Sequence, residues 1–356
     1  MYILYILLAV LMFSALIFVH ELGHFATAKL FGIQVNEFSM FMGPAIWKKQ
    51  IGETLYSIRC IPLGGYCAME GEDGESDNPR AFGKAAWWKK LIVLAAGAAM
   101  NFLFGVLVFA VLYLPMEQVA APVITQFADC CNFNHEDGLR LGDEILEIDG
   151  EKVYLNGDIS VLLGLDEDGV HDVLVLREGK ELLFRQLPMG HAHINEDGTR
   201  YRHYGFGFGT ARDLDLGGKL GLVWNVTLDN LRNVRLSLEM LFSGKAGIAD
   251  LSGPVGIVDM MSESASAAET LADAMGTLLS FCGMLAVNLA VMNLLPIPAL
   301  DGGRIVCLAL TEAVERVTKK KLDPKYEGYL HAAGMILLLG LMAIVMFKDI
   351  FTIFKG

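Results

Sequence analysis

The sequence predicts a multi-pass α-helical membrane protein with about four transmembrane helices, membrane-associated β-strands and an inserted β-rich domain. Three observations carry this. Four apolar stretches reach the roughly 20 residues that a bilayer-spanning helix needs. Residues 30–80 alternate polar and apolar positions and are punctuated by glycines and prolines, the pattern of short strands and turns. An acidic middle segment reads as short β-like runs separated by turn dipeptides. The chain is 54% hydrophobic and only 19% charged, a balance that embedded segments explain.

The first apolar stretch, roughly 2–25, lacks a basic leading region and a small-residue cleavage site before its histidines, so it reads as a retained helix. Residues 30–80 follow as strands at, or dipping into, one membrane face, and "AWWKK" at 86–90 forms an interfacial belt before the second stretch, roughly 91–114. In "DGLRLGDEILEIDGEKV" (137–153), Gly142-Asp143 makes a turn and Asp149-Gly150 a hairpin turn, with Ile145, Ile148 and Val153 pointing inward. Strand–turn–strand patterning recurs at 172–187, and "YGFGFGT" at 204–210 completes a β-rich domain of about 90 residues. In 217–243, Leu220, Val223, Trp224, Leu228, Leu231, Val234, Leu238 and Leu241 recur at helical spacing, as in a surface-lying or a packed helix. The third and fourth apolar stretches are roughly 276–298 and 329–347. The chain divides accordingly into 1–114, 115–212, 213–275 and 276–356.

Loop charge orients the spans. Segment 26–90 carries Lys29, Lys48, Lys49, Arg59, Arg80, Lys84, Lys89 and Lys90, and segment 299–328 carries Arg304, Arg316, Lys319, Lys320, Lys321 and Lys325. Positive loops face the cytosol, so the termini and 115–275 face outward. A formal net charge of −13 argues against nucleic acid as a partner. The six cysteines show no C-x-x-C spacing, which argues against a disulfide framework or a cysteine zinc site.

The first stretch ends in "FVHELGHF". On a helix, i and i+4 share a face, so His20 and His24 can hold one zinc ion through neutral imidazole nitrogens. Glu21 stays off the metal but near its open position, where it can accept a proton from water. Titratable groups at membrane depth are costly, which marks the cluster as functional. A catalytic zinc takes three protein ligands, and no third follows closely on His24. "NLLPIPALDGGR" (293–304) supplies Asp301. Its prolines Pro296 and Pro298 stop a regular helix, and broken backbone at membrane depth lines a cavity or is buried in protein. Asn293 lies two turns earlier, where it can bond an extended substrate or a reacting carbonyl. The deduced topology puts both motifs at cytosolic helix ends.

These residues resemble the site-2 protease family of intramembrane zinc metalloproteases. "FVHELGHF" is similar to its first motif and "NLLPIPALDGG" to its second. "GLRLGDEILEIDG" resembles a PDZ domain, and "GKAAWWKKLIVLAAGAAMNFLF" and "LSGPVGIV" (251–258) resemble two further signatures. One PDZ-like domain and four helices look like the bacterial branch that cleaves anti-sigma factors or remnant signal peptides. The resemblance implies Zn2+ held by His20, His24 and Asp301, Glu21 as general base and acid, and Asn293 as a substrate contact. It implies that the strand "IPLGGYCAM" (61–69), with Gly64 and Gly65, pairs with an unwound substrate, and that Pro296 lies in the substrate-binding loop. It also implies single-pass membrane protein substrates, cut after a site-1 protease has acted, in a multi-pass protein of the cell membrane whose PDZ-like domain is extracytoplasmic. That domain departs from the pattern at "APVITQFADCCNFNHEDGL", so it either binds peptide or filters substrates by size.

Other features read as ordinary. His191, His193 and His203 form a solvated cluster, Cys130-Cys131 a loop pair, and His171 and His331 have no evident partner. The class alternative is a non-catalytic PDZ scaffold. A structural zinc would then need four ligands, whereas this pattern offers three and a base. A metal transporter would need ionisable groups along several spans, and the second and fourth offer only Asn101 and His331.

Overall fold

The computed structural model describes residues 2–72, 74, 76–128, 138–165, 168–194, 200–247, 251–319 and 325–355. The chain forms two compact units, one of residues 1–112 and 230–356 and one of 113–229.

The first unit is built on helices. Helix α1 (Tyr2–Leu30), α2 (Trp87–Tyr113) and α6 (Leu271–Leu294) are each long and apolar enough to cross a membrane, as is Gly328–Thr352 within α8 (Lys325–Lys355). Leu7, Leu107, Ile336 and Leu337 remain more than half exposed on these helices, as lipid-facing residues would. Between α2 and α6 lie α4 (Leu216–Phe242), which begins in the second unit, and α5 (Pro254–Ser266). The core joins Tyr5, Ala9 and Leu16 of α1 to Met261 and Ala265 of α5 and to Leu278, Cys282 and Ala286 of α6. Apolar residues gain no hydrophobic energy from leaving lipid for a neighbouring helix, so close packing through small residues must hold the bundle. A Cβ on Gly23 of α1 would stand 2.4 Å from the Ala96 carbonyl oxygen of α2. One on Gly105 of α2 would stand 3.1 Å from the Gly283 oxygen of α6.

Strands β1 (Val35–Ile51) and β2 (Thr54–Met69) form a long antiparallel hairpin that folds back on itself. Ala45–Ile51 pairs with Thr54–Arg59, while Val35–Met40 pairs on one side with Leu55–Ile58 and on the other with Gly65–Met69. The bend uses left-handed backbone at Phe41 and Gly43 (φ 71° and 84°). Residues 65–69 are thus the hairpin's outer strand, and Ser14 of α1 donates to the Pro62 carbonyl at 3.0 Å just before it. Ile46, Trp47 and Ile51 are exposed at the far end.

The third apolar stretch breaks ahead of its prolines, as expected: α6 stops at Leu294, and Leu295 is extended (ψ 145°) because Pro296 excludes it from the helical region. One expectation needs correction. Segments read as connector or charged loop hold helices. Helix α5 starts with Pro254 at its first position, and Asp349 of α8 accepts from the backbone N–H groups of Gly253 and Gly256 at 2.8 and 2.9 Å. Helix α7 (Asp301–Thr318) has an acid in its first turn, an arginine in its last and a Glu312–Arg316 pair.

The second unit is β-rich. Strands β3 (Gln118–Phe127), β4 (Glu144–Ile148), β6 (Val170–Arg177), β7 (Lys180–Pro188) and β10 (Phe206–Asp213) form a sheet in the order β10-β3-β4-β6-β7, with β5 (Glu151–Lys152) paired to β4. Strands β8 (His191–Ile194) and β9 (Arg200–His203) pair separately. The predicted turns are present: Asp149-Gly150 and Glu178-Gly179 have positive φ at both positions, the two-residue hairpin geometry. Ile145, Ile148 and Val153 are buried, with Ile159 and Leu162 of the short helix α3 (Asp158–Leu163). The buried Asp143 accepts from Arg177 at 2.7 Å, and this bond raises the guanidinium pKa. Helix α4 is present where the spacing predicts one; along it Leu222, Val223, Val226, Thr227 and Val234 are buried, while Leu220, Trp224 and Leu241 are exposed.

Candidate metal centre

The last third of α1 carries His20, Glu21 and His24. The two imidazoles meet edge to face at 83°, with their Nε2 atoms 3.1 Å apart. His24 Nδ1 lies 2.8 Å from the Val93 carbonyl oxygen of α2. A carbonyl only accepts, so Nδ1 carries the proton and the Nε2 lone pair of neutral His24 faces the centre. Gly97 makes room for both rings: a Cβ there would lie 2.5 Å from His24 Nε2 and 2.6 Å from His20 Cε1.

Asp301 reaches this spot from the opposite end of the sequence. After α6 stops, residues 295–300 turn tightly, with Ile297 N–H bonded to the Leu295 oxygen at 2.7 Å and Ala299 in left-handed backbone (φ 80°). His331 of α8 accepts from the Ala299 N–H at 3.2 Å. The first turn of α7 then packs backbone against backbone on this loop. A Cβ on Gly302 would stand 2.3 Å from the Leu294 and Leu295 oxygens, and one on Gly303 2.3 Å from that of Ile297. This packing holds Asp301 Oδ2 at 3.0 Å from His20 Nε2 and 3.4 Å from His24 Nε2. Asp301 Oδ2 is buried and has no hydrogen-bond donor among the described residues.

A divalent cation fits this donor set. The three facing atoms are separated by 3.0, 3.1 and 3.4 Å. Ligand atoms of a tetrahedral zinc with bonds of about 2.0–2.1 Å lie roughly 3.3–3.4 Å apart. Among the described residues this is the group of three such side chains whose ligand atoms lie within 4.8 Å of one another.

The other expected residues gather around it. Asn293 Nδ2 is 3.3 Å from His20 Nδ1. Glu21 lies beside β2: a Cβ on Gly65 would be 3.5 Å from Glu21 Cγ and 3.0 Å from the Ser39 oxygen. Gly64 has φ 79°, and Pro296 lies in the loop before Asp301. Arg304, one turn beyond Asp301, pairs with Glu72, which also accepts from Met69 N–H at 3.3 Å and so ties α7 to the end of β2. The hairpin is stiffened by Glu37, which accepts from Ser57 at 2.7 Å and Arg59 at 2.8 Å. Burial would raise the Glu37 carboxyl, but bonds from Ser57, Arg59 and Tyr66 outweigh it and hold it below its usual range.

Sequence reasoning missed Val93, Gly97 and the Glu72–Arg304 pair, and named Asn101 only as a polar residue in a span. The available signal was Gly97 and Asn101 four apart in an apolar helix, hence on one face. It also left two histidines without partners. His331 accepts from Ala299, and the buried His171 lies 2.6 Å from Asp149. Cys130, Cys131 and His135 lie outside the described residues, as do the side chains of His191, His193 and His203.

The profile of peptidase family M50 matches residues 8–341. The chain is 36% identical over 352 residues to a protein of Clostridium perfringens named "putative zinc metalloprotease", covering 97% of this chain and 98% of that one. Proteins of Fusobacterium nucleatum and Helicobacter pylori strain J99 with the same description are 34% and 31% identical. These alignments cover 98% and 97% of this chain, and 99% and 98% of the relatives.

Proposed function

Because this chain belongs to peptidase family M50, we propose that it is an intramembrane zinc endopeptidase that cuts membrane-spanning segments of single-pass proteins. Four helices fit for a bilayer make it a membrane protein, and the reading puts the centre near its cytosolic side. The observation that carries the proposal is the meeting of His20, His24 and Asp301 at one point with Glu21 alongside.

His20 and His24 Nε2 and Asp301 Oδ2 would hold the zinc. Bound there, zinc supplies a Lewis acid for the scissile carbonyl and brings the pKa of water down to about 7. Glu21 follows His20 directly on α1, so it takes the proton from the attacking water and returns it to the departing amine nitrogen. Asn293 turns its amide toward the scissile carbonyl and orients it. The substrate must be unwound first, because helix carbonyls are occupied by intrahelical bonds. Residues 65–69, the outer strand of the hairpin, pair with the unwound segment, and the bare Gly64-Gly65 backbone lets it approach Glu21. Residues 115–212 act as an extracytoplasmic PDZ-like domain that admits substrates, such as anti-sigma factors or remnant signal peptides, already shortened by a site-1 protease. A non-catalytic scaffold would have no use for three ligands beside a free carboxylate.

The test is cleavage of a tagged model membrane substrate, truncated on its outer side, by the purified chain in detergent. Wild type, Glu21→Gln and a chelated sample are compared, with zinc content measured on each. Cleavage by wild type alone, with zinc retained in Glu21→Gln, is the expected result. Equal cleavage by Glu21→Gln, or a folded wild-type chain without zinc, overturns the proposal.

A further inference from the structure

We propose that Asn101 of α2 is a positioning residue for the metal centre: its amide oxygen accepts the Nδ1 proton of His20 and so turns the Nε2 lone pair toward the metal. This rests on the zinc-binding reading above and adds a residue to it.

Each of the two rings must place one proton. A neutral imidazole that offers Nε2 to a cation carries its proton on Nδ1, and a buried N–H needs an acceptor. For His24 that acceptor is the Val93 carbonyl. For His20, two side chains approach Nδ1, both of them amides: Asn293 at 3.3 Å and Asn101 at 3.5 Å. Amide nitrogen and oxygen have the same shape, so hydrogen-bond need decides which of them faces the ring.

Burial and placement select Asn101. It is 1% exposed in the middle of an apolar helix, and its Oδ1 is buried without a partner among the described residues. An acceptor without a donor at membrane depth costs free energy, and the His20 Nδ1 proton is the donor that removes the cost. Asn293 stands one residue before the end of α6, at the loop that leads to Asp301, and is only partly buried. Giving the Nδ1 proton to Asn101 leaves the Asn293 amide free to turn toward a substrate carbonyl. The spacing supports this. Val93, Gly97 and Asn101 succeed one another at intervals of four along α2 and so form one ridge. One touches His24, the next clears space for both rings, and the third reaches His20. On this reading α2 supplies the outer support of the centre along a single line.

The experiment is zinc affinity, measured by competition with a chromophoric chelator on the purified full-length chain. Wild type, His20→Ala, Asn101→Leu, Asn101→Asp and Asn293→Ala are compared. Loss of an outer partner of a metal-binding histidine typically costs 10–100-fold in affinity, and that is the expected loss in Asn101→Leu. Asn101→Asp has the same shape and only acceptor atoms, so it should bind zinc within threefold of wild type or more tightly. Asn293→Ala should stay within threefold and lose turnover instead. Asn101→Leu at wild-type affinity overturns the assignment. So does an Asn101→Asp as weak as Asn101→Leu, since that would show the amide facing His20 with its NH2 group. Wild type without zinc, or His20→Ala with undiminished affinity, would instead overturn the underlying metal-site reading.

Discussion

Replacing Gly97 by alanine adds one methyl group, and the structure says where it goes. The new carbon would lie 2.5 Å from His24 Nε2, 2.6 Å from His20 Cε1 and 2.8 Å from His20 Nδ1. Ordinary contact between such atoms needs about 3.5 Å, so the rings or the helix must give by roughly 1 Å. His24 cannot slide freely, because Val93 holds its other nitrogen. Metal–ligand distances tolerate only about 0.2 Å. A displacement of about 1 Å in a catalytic arrangement commonly costs on the order of 100-fold in rate, and forced overpacking costs about 1–3 kcal/mol in stability. Gly97→Ala should therefore lose zinc on mild dialysis and at least about 100-fold in cleavage, while still folding into detergent micelles. The control is Gly276→Ala in α6, where a Cβ meets nothing within 4 Å. There the better helix propensity of alanine should leave zinc and cleavage unchanged and stability equal or up to about 1 kcal/mol higher. Gly97→Ala with stoichiometric zinc and cleavage within threefold of wild type would refute the reasoning that this residue is glycine to seat the histidine pair.

Three further outcomes are expected. Gly302→Ala forces a carbon to within 2.3 Å of backbone oxygens that cannot move aside like a side-chain tip, so it should shift Asp301 and abolish tight zinc binding, as metal analysis would show. Asp349→Ala removes the acceptor for the Gly253 and Gly256 N–H groups and should cost about 1–2 kcal/mol, read as a lower thermal midpoint, with Asp349→Asn losing less. Bonds from Arg80 and Lys29 hold the Glu53 carboxyl at about 2, below its ordinary value near 4.3. A depressed carboxyl stabilises the fold fully above its unfolded pKa and loses that contribution as pH falls toward the folded one. The gap in thermal midpoint between wild type and Glu53→Gln should thus be constant above about pH 5 and close toward pH 2.

What the sequence disclosed follows from how local each signal is. Hydropathy is a property of contiguous residues, so four spans were legible without knowing what packs on them. The i, i+4 rule put His20 and His24 on one face, and the need for a third ligand singled out Asp301. Helix α5 was illegible because the group that satisfies its first N–H groups is Asp349, far along the chain. Helix α7 was hidden by its charge, which read as loop. The Val93 contribution is a backbone oxygen, which no side-chain pattern can announce. The spacing of Gly97 and Asn101 hints at a shared face, but the room that Gly97 leaves for the two rings shows only in what a larger residue would strike. The sequence left the buried face of α4 open for a related reason. In a membrane protein an apolar residue has two favourable places, protein and lipid, so periodicity alone does not tell Trp224 from Val223.

The three residues that meet at the centre also have an order in time. His20 and His24 leave the ribosome early and Asp301 late, and at about 5–20 residues per second the interval is tens of seconds. During that interval the chain offers the two imidazoles without the Asp301 carboxylate that faces them. The group of three is complete only once the third span and the first turn of α7 have been made, while α8 is still to come.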